Sequence, residues 1–179
     1  NRVLIEHGAV GVEVQHDGRM QTLRGNEIVL CAGALHSLPI LLRSGIGPGA
    51  HLADVGVDLV HELPGVGENL REHPSVTLIA EPKQGVITPG DPLQQIGLRY
   101  TASDSDEEND MQMYMWSHEA ERSPQIRVNI PGFGFLFMIT PTLQRPKSIG
   151  SQRLASADLE TQPLIEINLL DDESDVDRM

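Results

Sequence analysis

Glu27-Ile28-Val29-Leu30-Cys31-Ala32-Gly33-Ala34-Leu35-His36-Ser37-Leu38-Pro39-Ile40-Leu41-Leu42-Arg43-Ser44-Gly45 is the stretch on which the fold turns. One acid followed by a wholly apolar, partly β-branched run predicts a strand over 27–31 buried on both faces. The period then changes. Ser37 is placed to cap a helix whose first turn holds Pro39, a position where a missing N–H is tolerated. Ile40, Leu41 and Leu42 give that helix a buried face, and Gly45 can end it in a left-handed conformation. Strand, tight Ala32-Gly33-Ala34 turn and helix make a βα unit of the doubly wound kind. A second short helix, over about 50–55, ends at Gly56 by the same logic.

Upstream, Val10, Val12 and Val14 alternate with Gly11 and Glu13, the period of a half-buried strand, and Asp17-Gly18 supplies a hairpin turn. Downstream, Leu63-Pro64-Gly65-Val66-Gly67 is too rich in Gly and Pro for a regular element and must be a shaped loop. Strands are predicted over 75–80, through Met111, Met113 and Met115, and at 164–167. Phe133, Phe135 and Phe137 alternate and are expected in the core. The segment from Ala102 to Asp110, with five carboxylates over 101–110, reads as a solvated loop; the ligand spacing and central Gly of a calcium loop are absent. Irregularity rises near residue 74, which marks the boundary between a first domain, 1–73, and a second, 74–179.

The chain has 179 residues, enough to bury a sizeable core. Asp and Glu number 26 against 13 Lys and Arg, a formal net charge of −13, which repels nucleic acid and anionic membrane surfaces. A single cysteine excludes an internal disulfide framework and a thiolate metal cluster, and Cys31, in its apolar run, is expected to be a buried, inert thiol. No apolar stretch approaches the ~20 residues of a membrane span. Asn1 to Ile5 reads as mid-strand, without Met or a signal-peptide pattern, and Asp171 to Met179 as an acidic segment with no closing motif. Both ends therefore look interior to a longer sequence. The missing signal and the free thiol lean towards the cytoplasm.

Neither G-x-G-x-x-G nor G-x-x-x-x-G-K-[ST] occurs, so no nucleotide site is self-contained. The small residues Ala32, Gly33 and Ala34 let backbone come close to something at the carboxyl end of a strand, where open α/β sheets bind ligands; close helix–strand packing is the alternative. The seven histidines (7, 16, 36, 51, 61, 73, 118) show no metal-ligand spacing, and no metal site is expected. His36 and Ser37 are neighbours, but no G-x-S-x-G elbow accompanies them. His73 stands apart by lying in a Gly-rich loop just before Pro74.

Gly33 to Gly47 closely resembles the second signature of the glucose–methanol–choline oxidoreductases, a GA-x-x-S-P stretch that runs through an apolar pair to S-G-I-G. One departure is present: the proline that should follow Ser37 is Leu38, with Pro39 one place later. Leu63-Pro64-Gly65-Val66-Gly67-Glu68-Asn69-Leu70-Arg71-Glu72-His73-Pro74 resembles the family's L-P-G-V-G-x-N-L-Q-D-H-P run. Arg145 to Gly150 is similar to its P-x-S-x-G turn, and Pro163 to Leu170 to its P-x-I-x-x-N-Y-L run. The matches cover most of the chain in order, weakest between about 83 and 135.

The resemblance implies an α/β, doubly wound FAD-binding portion over 1–73, joined to an α+β substrate domain on an antiparallel sheet over 74–179, incomplete here. It places Ala32, Gly33, Ala34, Ser37 and Asn69 beside the FAD cofactor, and His73 and Ser75 at the substrate pocket. Choline-acting members carry a Glu where this chain has Ser75, so a cationic substrate loses its counter-charge. The family oxidises a small-molecule alcohol, passing hydride to flavin N5, with a C-terminal His as base. That His motif and the glycine-rich pyrophosphate loop are both missing from these 179 residues. No catalytic residue is therefore assigned, His73 and His118 included, and the chain by itself is expected to be inactive. The electron acceptor is left open. A truncated, non-catalytic binding module, or the hydroxynitrile-lyase use of the same fold, are the alternative functions.

Overall fold

The computed structural model describes residues 2–103, 105–119 and 134–179. In chain order its elements are β1 (Arg2–Ile5), β2 (Ala9–His16), β3 (Arg19–Arg24), α1 (Gly33–Arg43), β4 (Ile46–Gly47), α2 (Gly49–Asp54) and β5 (His61–Glu62). Then follow β6 (Leu78–Ala80), β7 (Gln94–Tyr100), β8 (Met111–Glu119), β9 (Phe135–Leu143), β10 (Ser151–Arg153), β11 (Leu164–Glu166) and α3 (Glu173–Arg178). They form two compact units. One is Asn1–Arg71 with Ile149–Asn168; the other is Glu72–Ser148 with Leu169–Met179.

In the first unit β1, β2 and β3 form an antiparallel sheet. Asp17 and Gly18 both take positive φ, 50° and 71°, the turn whose twist matches that of the strands it joins. Helix α1 ends where its sequence says it should: Ser44 is the C-cap and Gly45 follows at φ 79°. A Cβ there would lie 2.4 Å from the Asp58 carbonyl oxygen, so Gly45 is needed for space as well as for conformation. Leu42, Leu52 and Leu154 are the buried centre, with Leu38, Val55, Val57 and Val66 packed around them. β10 and β11 pair antiparallel, and β4 and β5 make a short parallel pair.

Three expectations for this unit fail. Residues 27–31 form no strand, and among the described residues nothing pairs with them. An apolar run becomes a two-face-buried strand only if strands flank it; without them Val29 is 71% exposed. Cys31 is likewise exposed rather than buried. Ser37 is no N-cap, because α1 starts four residues earlier, at Gly33, with Ala32 at the cap and no side-chain cap bond. Pro39 thus falls in the body of the helix, not in its first turn.

The second unit is built on an antiparallel sheet ordered β6-β9-β8-β7. The methionine alternation is borne out as β8, and the strand expected over 75–80 is reduced to β6 plus a bridge between Ser75 and Thr142. The aromatic stripe has the opposite phase to the one expected. Leu136 and Met138 are buried, at 1% and 3% exposure, whereas Phe135 and Phe137 are half-buried; Phe133 lies outside the described residues. A period-2 pattern fixes that two faces alternate, not which one meets the core. Ala102, Met111 and Leu143 centre a further apolar cluster with Tyr100 and Met179.

The 102–110 loop is exposed in its middle but not at its end. Asp110 is fully buried, accepts from the Ala102 N–H at 2.9 Å and the Ser105 hydroxyl at 2.7 Å, and pairs with Arg178 at 2.9 Å. Solvation therefore does not describe the whole loop: the carboxylate that stays inside does so because three donors meet it.

Candidate functional site

Of the residues predicted to meet a ligand, Ala32, Gly33, Ala34 and Ser37 come together at the start of α1. The first three are exposed and Ser37 is half-buried. The Ala32 N–H donates to Ser37 Oγ at 3.1 Å, so the serine folds the entering chain onto the helix instead of capping it. Gly33 has φ +77°, and nothing lies within 4 Å of where a Cβ would stand. No acid occupies the first turn. The leading backbone N–H groups of an α-helix lack intrahelical partners and carry partial positive charge.

Helix α2 shows what a closed start looks like. There the Glu62 carboxylate accepts from the Gly49 N–H, at 3.2 and 3.0 Å through its two oxygens. A Cβ on Gly49 would sit 2.5 Å from Glu62 Oε2. One helix start is filled by the protein's own anion; the other, at Gly33, stands open among the described residues.

Asn69 lies in the same unit, at φ 61°, with its Oδ1 accepting from Arg71 Nε at 3.2 Å. Its loop is held rigidly. Gly67, at φ +94°, would place a Cβ 2.3 Å from the Gln152 carbonyl oxygen. The Gly67 carbonyl accepts from the Gln152 N–H at 2.7 Å and from Arg153 Nη1 at 2.9 Å, and Arg153 also pairs with Glu68. Leu70 and Gly150 bridge with reciprocal bonds of 3.0 and 2.7 Å. The P-x-S-x-G turn is shaped by the same demand for space, since a Cβ on Gly150 would meet the Glu166 carbonyl oxygen at 2.0 Å.

His73 and Ser75 belong to the second unit and are both exposed. The His73 N–H donates to the Glu72 carboxylate at 2.7 Å. Around Ser75 the chain is tied to β9 by Val76 N–H to Pro141 O, 3.2 Å, and Leu143 N–H to Pro74 O, 3.0 Å. The His118 side chain lies outside the description. Among the described residues no group of His, Cys, Asp and Glu is placed to hold a metal ion, and no helix is long and apolar enough to cross a membrane.

Three polar residues escaped the sequence reading. His51 accepts from the Leu154 N–H through Nε2 at 3.1 Å; burial, then the nearby Arg153 charge, push its pKa down against a smaller pull from Asp54. Arg43 donates through Nη2 to the Asp158 and Thr161 carbonyls, and burial lowers its pKa against the Asp158 charge. Gln152, 1% exposed, donates from Nε2 to the Leu35 carbonyl at 2.7 Å while its Oε1 is buried without a partner among the described residues. Nothing in the local sequence could show these, because each partner is distant in the chain.

The comparisons agree with these shapes. The GMC oxidoreductase family model matches residues 1–75. The choline oxidase of Arthrobacter globiformis is 33% identical over 141 residues, which is 79% of this chain and 26% of that protein. Two solved structures share the fold. Pyridoxine 4-oxidase from Mesorbium loti has a TM-score of 0.79 at 23% identity, over 99% of this chain and 35% of its own. A variant formate oxidase from Aspergillus oryzae has a TM-score of 0.83 at 20% identity, over 99% of this chain and 40% of its own. This chain therefore spans about a quarter to two-fifths of each of these three proteins. Signature helix, glycine-shaped loop and glycine-shaped turn occur in one order, and over residues 1–75 the chain is similar to the GMC oxidoreductases.

Proposed function

We propose that this chain is part of an FAD-dependent oxidoreductase acting on the CH–OH group of a small alcohol. On this reading the first unit contributes to a doubly wound FAD-binding domain and the second mostly to a substrate-binding domain. The observation that carries it is the open start of α1. Among the described residues, backbone N–H groups there have no carboxylate partner of the kind Glu62 gives α2, and Gly33 leaves free the volume a side chain would fill. A phosphate-bearing cofactor suits both features, so the residues present fit FAD. The formate oxidase of like fold is itself described by a modification of its FAD.

Ala32, Gly33 and Ala34 would hold the cofactor by close backbone approach, with Ser37 fixing the turn and Asn69 entering from the Gly67 loop. FAD, when bound, supplies the acceptor at N5 for the hydride that leaves the alcohol carbon. His73 and Ser75 would line the substrate's side. Ser75 offers no charge to a quaternary ammonium, so a neutral alcohol is proposed in preference to choline, although relatives bear choline in their names. No residue of this chain is assigned the hydroxyl proton, and the chain alone is expected not to turn over.

The test is flavin content in the complete protein. Gly33→Val should release most of the flavin, since a branched side chain would occupy the open volume. Flavin retained at the wild-type level would sink the placement.

A further inference from the structure

We infer that Gln152 is a positioning residue that compensates the displaced proline of α1 and rivets the helix start to the Gly67–Asn69 loop. Pro39 has no N–H, and in a helix the carbonyl it leaves unserved is that of residue 35, four positions back. Gln152 Nε2 meets that carbonyl, Leu35 O, at 2.7 Å. From the same residue the backbone N–H donates to Gly67 O at 2.7 Å, and the backbone carbonyl closes the space beside Gly67. One buried side chain and its backbone thus tie together the two stretches proposed to face the cofactor.

The unpartnered Oε1 shows which half of the amide matters. A residue kept only to fill volume at 1% exposure would be apolar and would leave no buried acceptor without a donor. Turning the amide over would set its oxygen against the Leu35 oxygen, two acceptors face to face, so the donating orientation is the one the surroundings demand. The proline's displacement from 38 to 39 gives the arrangement its reason. With proline at 38 the unserved carbonyl would be that of Ala34, near the open end of the helix. With proline at 39 it is Leu35's, and Gln152 is the donor that reaches it.

The rivet predicts a specific coupling. Ala at position 39 restores an N–H that can serve Leu35 O, so Gln152 should then become dispensable. The experiment is a double-mutant cycle in the complete protein: wild type, Gln152→Met, Pro39→Ala, and both together. Denaturant midpoint is read for each, together with the visible circular dichroism of bound flavin. Met keeps the length of Gln but cannot donate. Gln152→Met alone should lower the midpoint and alter the flavin signal; in the Pro39→Ala background the same change should have less than half that effect. Failure of Gln152→Met to fold, with the double variant folding, would support the inference equally. Equal loss in both backgrounds, no loss in either, or a double variant that does not fold would overturn it. The flavin readout rests on the proposed function, whereas the midpoints do not. A protein that binds no flavin would therefore defeat that function and still leave the coupling decided.

Discussion

The two units treat buried polar groups in opposite ways. In the second, Asp110, Asp175 and Arg178 form a closed cluster, the carboxylates at 0% and the guanidinium at 7% side-chain exposure. Asp110 receives the Ala102 N–H, Ser105 and Arg178; Asp175 receives the Lys147 and Ser148 N–H groups, the Ser148 hydroxyl and Arg178. Arg178 also donates through Nε to the Ser174 carbonyl and through Nη2 to the Arg145 carbonyl. In the first unit, both buried side-chain atoms without a partner among the described residues, Gln152 Oε1 and Arg43 Nε, sit against or on α1. A cluster whose carboxylates each meet several donors holds structure together. Unspent donors and acceptors collect around the one helix whose start is open.

The sharpest way to break this contrast is Arg178→Met. Two carboxylates would be left buried without their shared cation, and about 3–5 kcal/mol should be lost, against a few tenths for an exposed pair such as Arg145–Glu107. Denaturant unfolding followed at Trp116, on β8 of the same unit, would report it. A loss below about 1 kcal/mol would mean that the cluster is not closed as described.

Acid probes the same cluster without mutation. Burial pushes both carboxyls up, but the hydrogen bonds from Ala102, Ser105 and Arg178 to Asp110, and from Lys147, Ser148 and Arg178 to Asp175, outweigh it and hold both low. A depressed folded pKa means that the unfolded chain binds more protons. The stability is complete above the unfolded value of about 3.9 and is lost as pH falls through the lower folded values.

Glycines separate the two kinds of demand inside the first unit. Gly150→Ala would force a Cβ to 2.0 Å from a backbone oxygen, and a loss of about 2–3 kcal/mol is expected because backbone must move. Gly33→Ala meets open space and costs only the left-handed conformation, about 1–2 kcal/mol. Unfolding midpoints of the two variants, measured without added flavin, test the order. Reversal would show that the space at Gly33 is filled by the protein itself.

What the sequence made legible was local. Asp17-Gly18, Gly45 and Gly56 act within a few residues of themselves, and each stands where turn and cap chemistry put it. The strand expected over 27–31 failed because a strand is a property of its neighbours, and pairing was never in the local pattern. Ser37 misled because Pro39 reads naturally as a first-turn proline, whereas α1 begins at Gly33 and carries Pro39 in its body. The Asp110–Arg178 pair joins residues 68 positions apart, and the acids around each suggested solvent instead. At the candidate site the residue types Ala32, Gly33 and Ala34 were readable. Gln152 was not, since only the fold brings it to Leu35.

His51 offers the smallest test and the finest one. Its Nε2 accepts the Leu154 N–H, which requires a neutral ring, and burial and Arg153 both oppose protonation. Its folded pKa lies below the unfolded value of about 6.5, so the unfolded chain takes up the proton first on acidification. Stability should then hold above that pH and decline below it, by about 1 kcal/mol or less because the ring is only partly buried. His51→Gln keeps an acceptor without the titration, and the unfolding midpoint of that variant should be flat between pH 7 and 5 where the parent's falls. An equal fall in both would move the effect to another group. It would also mean that the Leu154 contact, which ties α2 to the end of β10, is indifferent to charge.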